Sequence, residues 1–196
     1  MLRIKTSALF IILCLATTIC FAEGLEFGGV YQYNSGGSTT FDSSGMAGTS
    51  NKLTVHPFSM GGVNAGYNLK YASLFMEFLF GATTIDMGNV TLNPNVFIAN
   101  IGLDIYPIAT PLKPVFMASI SSLNYASSLV STDGVNETDD MFCLGAGFRW
   151  DLPNHFFIKG LYKVSWHTIA DTDGSIFMQG PSITAGYLIK FKRNYF

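Results

Sequence analysis

From residue 24 onward the chain alternates apolar and polar positions in runs of about ten residues, each closed by Gly, Pro, Asn or Asp. Alternation at a period of two marks a β-strand, because successive side chains point to opposite faces of the pleat. Eight such runs are predicted, at 24–34, 57–69, 71–83, 95–106, 114–125, 140–150, 155–168 and 176–191. The joins differ in kind: those at 69–71, 107–113 and 151–154 are short, whereas 35–56, 84–94, 126–139 and 169–175 are longer, polar and mostly rich in Gly, Ser, Thr and Asp. Short joins on one side and long loops on the other describe an antiparallel meander with two distinguishable ends. Both the first and the last strand terminate on the short-turn side, so the sheet can close on itself.

The parity of each run separates two faces. One face carries Leu74, Met76, Phe78 and Phe80, then Phe97, Ala99, Ile101, Leu103 and Ile105, then Phe142, Leu144, Ala146, Phe148 and Trp150. It continues with Phe156, Ile158, Tyr162, Val164 and Trp166, and with Ile183, Ala185, Tyr187, Ile189 and Phe191. The other face is built of Gly, Ser, Asn and Thr with isolated charges: Glu26, Glu77, Asp104, Arg149, Lys159, Lys163 and Lys190. In the fifth run, 114–125, neither parity separates the apolar residues from Ser119, Ser121, Ser122 and Asn124.

Composition decides which face is outside. The chain is 48% hydrophobic and only 12% charged, against about a quarter charged in a typical soluble protein. A solvated exterior would be rich in Lys, Glu, Arg and Asp, whereas small residues opposite an aromatic face suit the crowded inside of a narrow barrel. The apolar face is therefore expected to meet lipid, with Phe78, Phe80, Phe97, Ile101, Phe148, Trp150, Tyr162, Trp166, Tyr187, Ile189 and Phe191 as lipid-facing residues. Closure becomes compulsory, since an unpaired strand edge in hydrocarbon costs several kcal/mol per backbone group. Tyr33, Tyr67, Tyr71, Tyr106, Trp150 and Trp166 fall near strand ends, where amphipathic rings favour the membrane interface. The charged residues then point into a lumen, where lone charges are costly and pairing across the barrel is expected.

The first 22 residues change the picture of the whole. Arg3 and Lys5, an apolar run from Ala8 to Ile19, and small residues at Cys20 and Ala22 predict a secretory signal peptide, 1–22, cleaved after Ala22. A retained N-terminal anchor is the alternative. The remaining residues, 23–196, form a single domain in which Cys143 is the only thiol, so no disulfide staples it. Losing Arg3 and Lys5 takes the basic count from 11 to 9 against 13 acids, which argues against a nucleic-acid partner. No apolar run of 18 residues follows the leader, so no transmembrane helix is expected.

Segments such as NIGLDIYP (100–107) and LGAGFRWDLP (144–153), running from alternating strands into tight turns, are similar to those of a known class. The chain resembles the small eight-stranded bacterial outer-membrane β-barrels typified by the transmembrane domain of OmpA, OmpX and OmpW, over 23–196 and at the level of pattern. The resemblance implies an all-β, eight-stranded antiparallel up-and-down transmembrane barrel in the bacterial outer membrane. It implies contact with outer-membrane lipid and the outer-membrane assembly machinery, an extracellular ligand or host surface as partner, a monomer, and no cofactor. Such barrels end in an aromatic residue within an alternating final strand, and this chain ends in Phe196. The outward parity of the last run is Tyr187, Ile189, Phe191, so Phe196 is off register and the end of the assembly signal is open between Phe191 and Phe196.

For function, the leading expectation is a barrel with a plugged polar lumen that presents four acidic and polar loops for surface interaction or membrane integrity. OmpW-like passage of small hydrophobic solutes is the alternative, followed by a soluble secreted β-protein and a lipid-modifying barrel enzyme. Catalysis is not expected: His167 lies near Asp171 and Asp173, but the position two residues after it, where lipid A deacylases carry a hydroxyl nucleophile, is Ile169. DTDG (171–174) is a fragment of a calcium loop at most and reads as a turn, so no metal site is expected. The long loops carry Asp42, Asp86, Asp133, Glu137, Asp139, Asp140, Asp171 and Asp173 against Lys52, while the short-turn side has Lys70, Lys113, Lys192 and Arg193 against Asp151. The loop side is expected to favour cations and basic partners.

Overall fold

The computed structural model describes residues 23–42, 50–87, 90–126, 138–168 and 175–191; the expected leader, 1–22, lies outside them. Eight antiparallel strands form a closed barrel: β1 (Gly24–Asn34), β4 (Phe58–Asn68), β5 (Ala72–Ala82), β8 (Asn95–Ile105), β9 (Leu112–Ala126), β10 (Thr138–Asp151), β11 (Phe156–Thr168) and β12 (Ser175–Lys190). The order is β1-β12-β11-β10-β9-β8-β5-β4, and β1 closes the ring by pairing with both β12 and β4. These are the eight runs of the alternation, displaced at their ends by no more than two residues.

Strands of 11 residues, at about 3.3 Å per residue and a tilt of about 40°, rise through roughly 28 Å, the thickness of an apolar bilayer band. Their outward positions form a continuous belt of large apolar side chains, including Phe80, Ile101, Ile120 and Phe148, the last 62% exposed. Phe97, packed between Phe78 and Phe80 with ring centroids at 6.3 and 4.9 Å, is half-buried within this belt. Water-soluble proteins do not leave so extensive an apolar patch uncovered. Inside, glycine makes room for bulk. A Cβ on Gly102 would lie 2.6 Å from the ring of Phe75, and one on Gly186 would lie 2.8 Å from the ring of Phe157.

Two expectations need correction. The segments 35–56 and 84–94, expected as loops, contribute four further strands, β2 (Gly37–Asp42), β3 (Ser50–Val55), β6 (Ile85–Met87) and β7 (Val90–Leu92), which form a second sheet in the order β2-β3-β6-β7. This sheet stands beyond the barrel on the long-loop side. Its strands are short and rich in Thr and Ser, so no apolar face was long enough to register as alternation. The other correction concerns Tyr106, expected at the membrane interface. It is fully buried inside the barrel, where its hydroxyl accepts a hydrogen bond from Arg149 Nη1 at 3.0 Å.

The ambiguous fifth run is settled by burial. In β9, Lys113, Val115, Met117, Ser119, Ser121 and Leu123 point inward, whereas Phe116, Ala118 and Ile120 point out. Its inward face mixes polar and apolar residues because the lumen itself is layered.

Candidate functional site: the ion-paired lumen and its apolar stopper

Strand direction orders the inward charges by height above the short-turn end. At the foot, Arg149, two residues from the end of β10, donates from Nη1 to Glu26 Oε2 at 2.5 Å and from Nε to Asp151 Oδ1 at 2.7 Å. Glu26 also accepts from Ser73 Oγ at 2.9 Å and Asn68 Nδ2 at 3.3 Å. Lys113, at the start of β9, reaches the second oxygen of Asp151 at 2.6 Å. Next above, Lys159 on β11 donates to Asp104 Oδ2 at 2.6 Å. Four residues further along β11, Lys163 donates to Glu77 Oε1 at 2.7 Å and to Gln32 Oε1 at 3.0 Å. Asn100 gives Glu77 a further hydrogen bond at 2.8 Å and accepts one from Ser121.

Aromatic faces complete the shell around three of these cations. Arg149 lies 4.2 Å from the centroid of Phe157, Lys159 lies 4.9 Å from Phe75 and Lys113 lies 4.6 Å from Tyr106. A ring quadrupole contributes about 1–2 kcal/mol to a desolvated cation, which offsets part of the cost of burial.

Above the ladder the lumen turns apolar. Val30, Phe58, Met60, Leu79, Val96, Ile98, Leu123, Met141, Ile176 and Met178 pack into one cluster, and Val55 and Ile85 join it from the second sheet. With Leu53 packed against the same cluster, the outer sheet covers the barrel mouth with three of its own side chains. Beside them, His56 Nε2 donates to Asp86 Oδ2 at 2.6 Å, and Thr91 Oγ1 donates to Asp86 Oδ1 at 2.7 Å.

Of the expected lumen charges, Glu26, Glu77, Asp104, Arg149, Lys159 and Lys163 are buried and paired in this ladder. Lys190 is not among them. It has the inward parity but ends its strand, and it is exposed at the rim. Lys159 takes Asp104 as its partner, and Glu77 goes to Lys163. Parity misses Lys113 and Asp151, assigned to turns, although both extend an inward face by one step beyond the expected strand ends. The lumen, expected to be plugged and polar, is filled in its outer part by this apolar cluster.

The residues weighed for catalysis do not assemble within the described chain. His167 is buried on the inward face of β11, opposite Met141, and Asp171 and Asp173 lie outside the described residues. Among the described residues no group of three or more His, Cys, Asp or Glu side chains could hold a metal.

A closed eight-stranded barrel with an apolar exterior and an ion-paired interior has the fold of the membrane-spanning outer-membrane barrels. By sequence the chain matches no family model and no curated protein. By structure it is similar to the outer membrane protein AlkL, solved in DMPC lipid bilayers, with 13% identity over 90% of this chain and 95% of that one at a TM-score of 0.52. It is likewise similar to the outer membrane protein OprG from Pseudomonas aeruginosa, with 11% identity over 88% and 97% of the two chains at a TM-score of 0.60. The shared feature is the fold.

Proposed function

We propose that the protein is a sealed, non-enzymatic outer-membrane barrel whose work is done by the surface it raises beyond the membrane. The observation that carries this reading is the filled lumen: among the described residues, three tiers of ion pairs lie under an apolar stopper. Eight-stranded barrels have little room beyond their own side chains, which favours an anchor over a pore. The second sheet supports the same reading, because hydrogen-bonded strands hold the outer segments in a defined shape. The acids of the long loops give that surface a negative field, suited to a cationic or basic partner and screened beyond about 8 Å at physiological salt.

Planar-bilayer recording tests the seal. The purified protein is expected to give no stepwise conductance, with or without a small hydrophobic solute, and reproducible solute-dependent channels would overturn the reading in favour of passage.

A further inference from the structure

The short-turn mouth of the barrel is concave, with a cavity of about 550 Å³ walled by all three short turns and by the ends of β1 and β12. Four basic side chains from four separate stretches of chain line it: Lys70 after β4, Lys113 at the foot of β9, His155 after β10 and Lys190 at the end of β12. Two acids share the basin, Glu23 and Asp151. Asp151 already accepts from Lys113 at 2.6 Å and from Arg149 at 2.7 Å. Lys70 and Lys190 enter no ion pair among the described residues, so Glu23 is the one uncommitted acid in the basin to offset them. A concave wall of low dielectric focuses such a field.

The turn that carries His155 adds an independent observation. Asn154 and His155 both have positive φ, 61° and 68°, within the turn closed by the hydrogen bond from Leu152 N to Phe156 O at 2.8 Å. Asparagine and histidine are among the non-glycine residues that adopt this backbone most readily. The turn holds an imidazole at the edge of the basin, its ring 5.9 Å from that of Tyr187.

We infer that this basin binds a phosphate-bearing anion, with Lys70 and Lys190 supplying the charge and His155 a ring N–H donor. A planar carboxylate is matched best by the fork of an arginine, and Arg149, the one arginine among the described residues, is committed to Glu26 and Asp151. Ammonium groups arriving from several sides suit a tetrahedral group that presents oxygens in several directions. Such a phosphate is carried either by a lipid headgroup of the adjoining leaflet or by a free phosphate.

Isothermal titration of the folded barrel in uncharged detergent, with inorganic phosphate in one arm and short-chain phosphatidate in the other, tests this. Saturable binding of at least one probe, weakened by salt, is expected. Lys70→Ala with Lys190→Ala should weaken it at least tenfold and His155→Gly several-fold, while the folded band on a gel stays unchanged. Equal affinity for the two probes assigns the site to free phosphate and tighter phosphatidate binding assigns it to the headgroup. No saturable binding of either probe, or binding unaffected by the double lysine variant, overturns the proposal.

Discussion

A buried ion pair is weak evidence of stability, yet breaking one is costly, because the remaining charge is left in a medium that cannot solvate it. Lys159 and Asp104 make the sharpest case, since Asp104 Oδ2 accepts from Lys159 while Asp104 Oδ1 has no partner among the described residues. Lys159→Ala is expected to destabilise the barrel by about 3–5 kcal/mol. Joining it to Asp104→Leu should recover most of that loss, since the pair is then replaced rather than broken. The temperature at which the folded band disappears on a gel, measured for the two single variants and the double, checks this. A double variant no more stable than Lys159→Ala would show that the cost lay in lost packing against Phe75 instead. That these residues share one face was legible from parity, because Arg149, Lys159 and Lys163 alternate with a mostly apolar face, and composition then placed that face inward. Their partners were not. Which strands meet across the lumen depends on the shear of the closed barrel, and that joins Lys159 to a residue 55 positions away.

Among whole strands the same distinction recurs. Strands 11 or more residues long were legible because lipid outside and a packed lumen inside impose opposite demands on successive residues. In β9 the inward face runs from Val115 and Met117, which pack in a separate apolar cluster with Phe75 and Tyr106 beside the charged tiers, through Ser119 and Ser121 to Leu123 in the stopper, so no parity separates its apolar residues from its polar ones. The second sheet escaped notice for a different reason: its faces meet the water side of the membrane apart from the positions of Leu53, Val55 and Ile85, and three to six residues are too few for a period to show. Its β3–β6 junction carries a pH-dependent contact. The hydrogen bond from His56, then that from Thr91, holds the Asp86 carboxyl below its ordinary value. A depressed carboxyl stabilises the folded arrangement above its unfolded value of about 4, and that contribution is lost as pH falls through the depressed one. Amide exchange along β6 and β7, after correction for intrinsic rates, is therefore expected to quicken below about pH 4. Asp86→Asn should remove that step, and a step that persists in this variant would assign the dependence to another group.

For the whole molecule, the layered lumen amounts to two closures in series. Barriers in series fail only together, because a wide upper mouth conducts nothing while the tier below it is shut. Truncating the stopper at Leu79→Ala and Met178→Ala opens apolar volume in the outer half of the lumen, at a cost of about 2–5 kcal/mol per site. It leaves Lys163, Glu77 and the tiers beneath them in place. Lys163→Ala with Glu77→Ala removes the top tier and leaves the stopper. Neither variant alone is expected to conduct in a planar bilayer. Combined, the four substitutions remove the stopper's centre and the uppermost ion pair, so the remaining obstruction is the Lys159–Asp104 tier and the foot around Arg149. Brief, small openings at high voltage are the expected result, since a field across the membrane acts on charged tiers and not on the apolar layer that once covered them. Stepwise conductance from the stopper variant alone would mean that the ion pairs yield readily, and the barrel would then be a gated channel rather than an anchor.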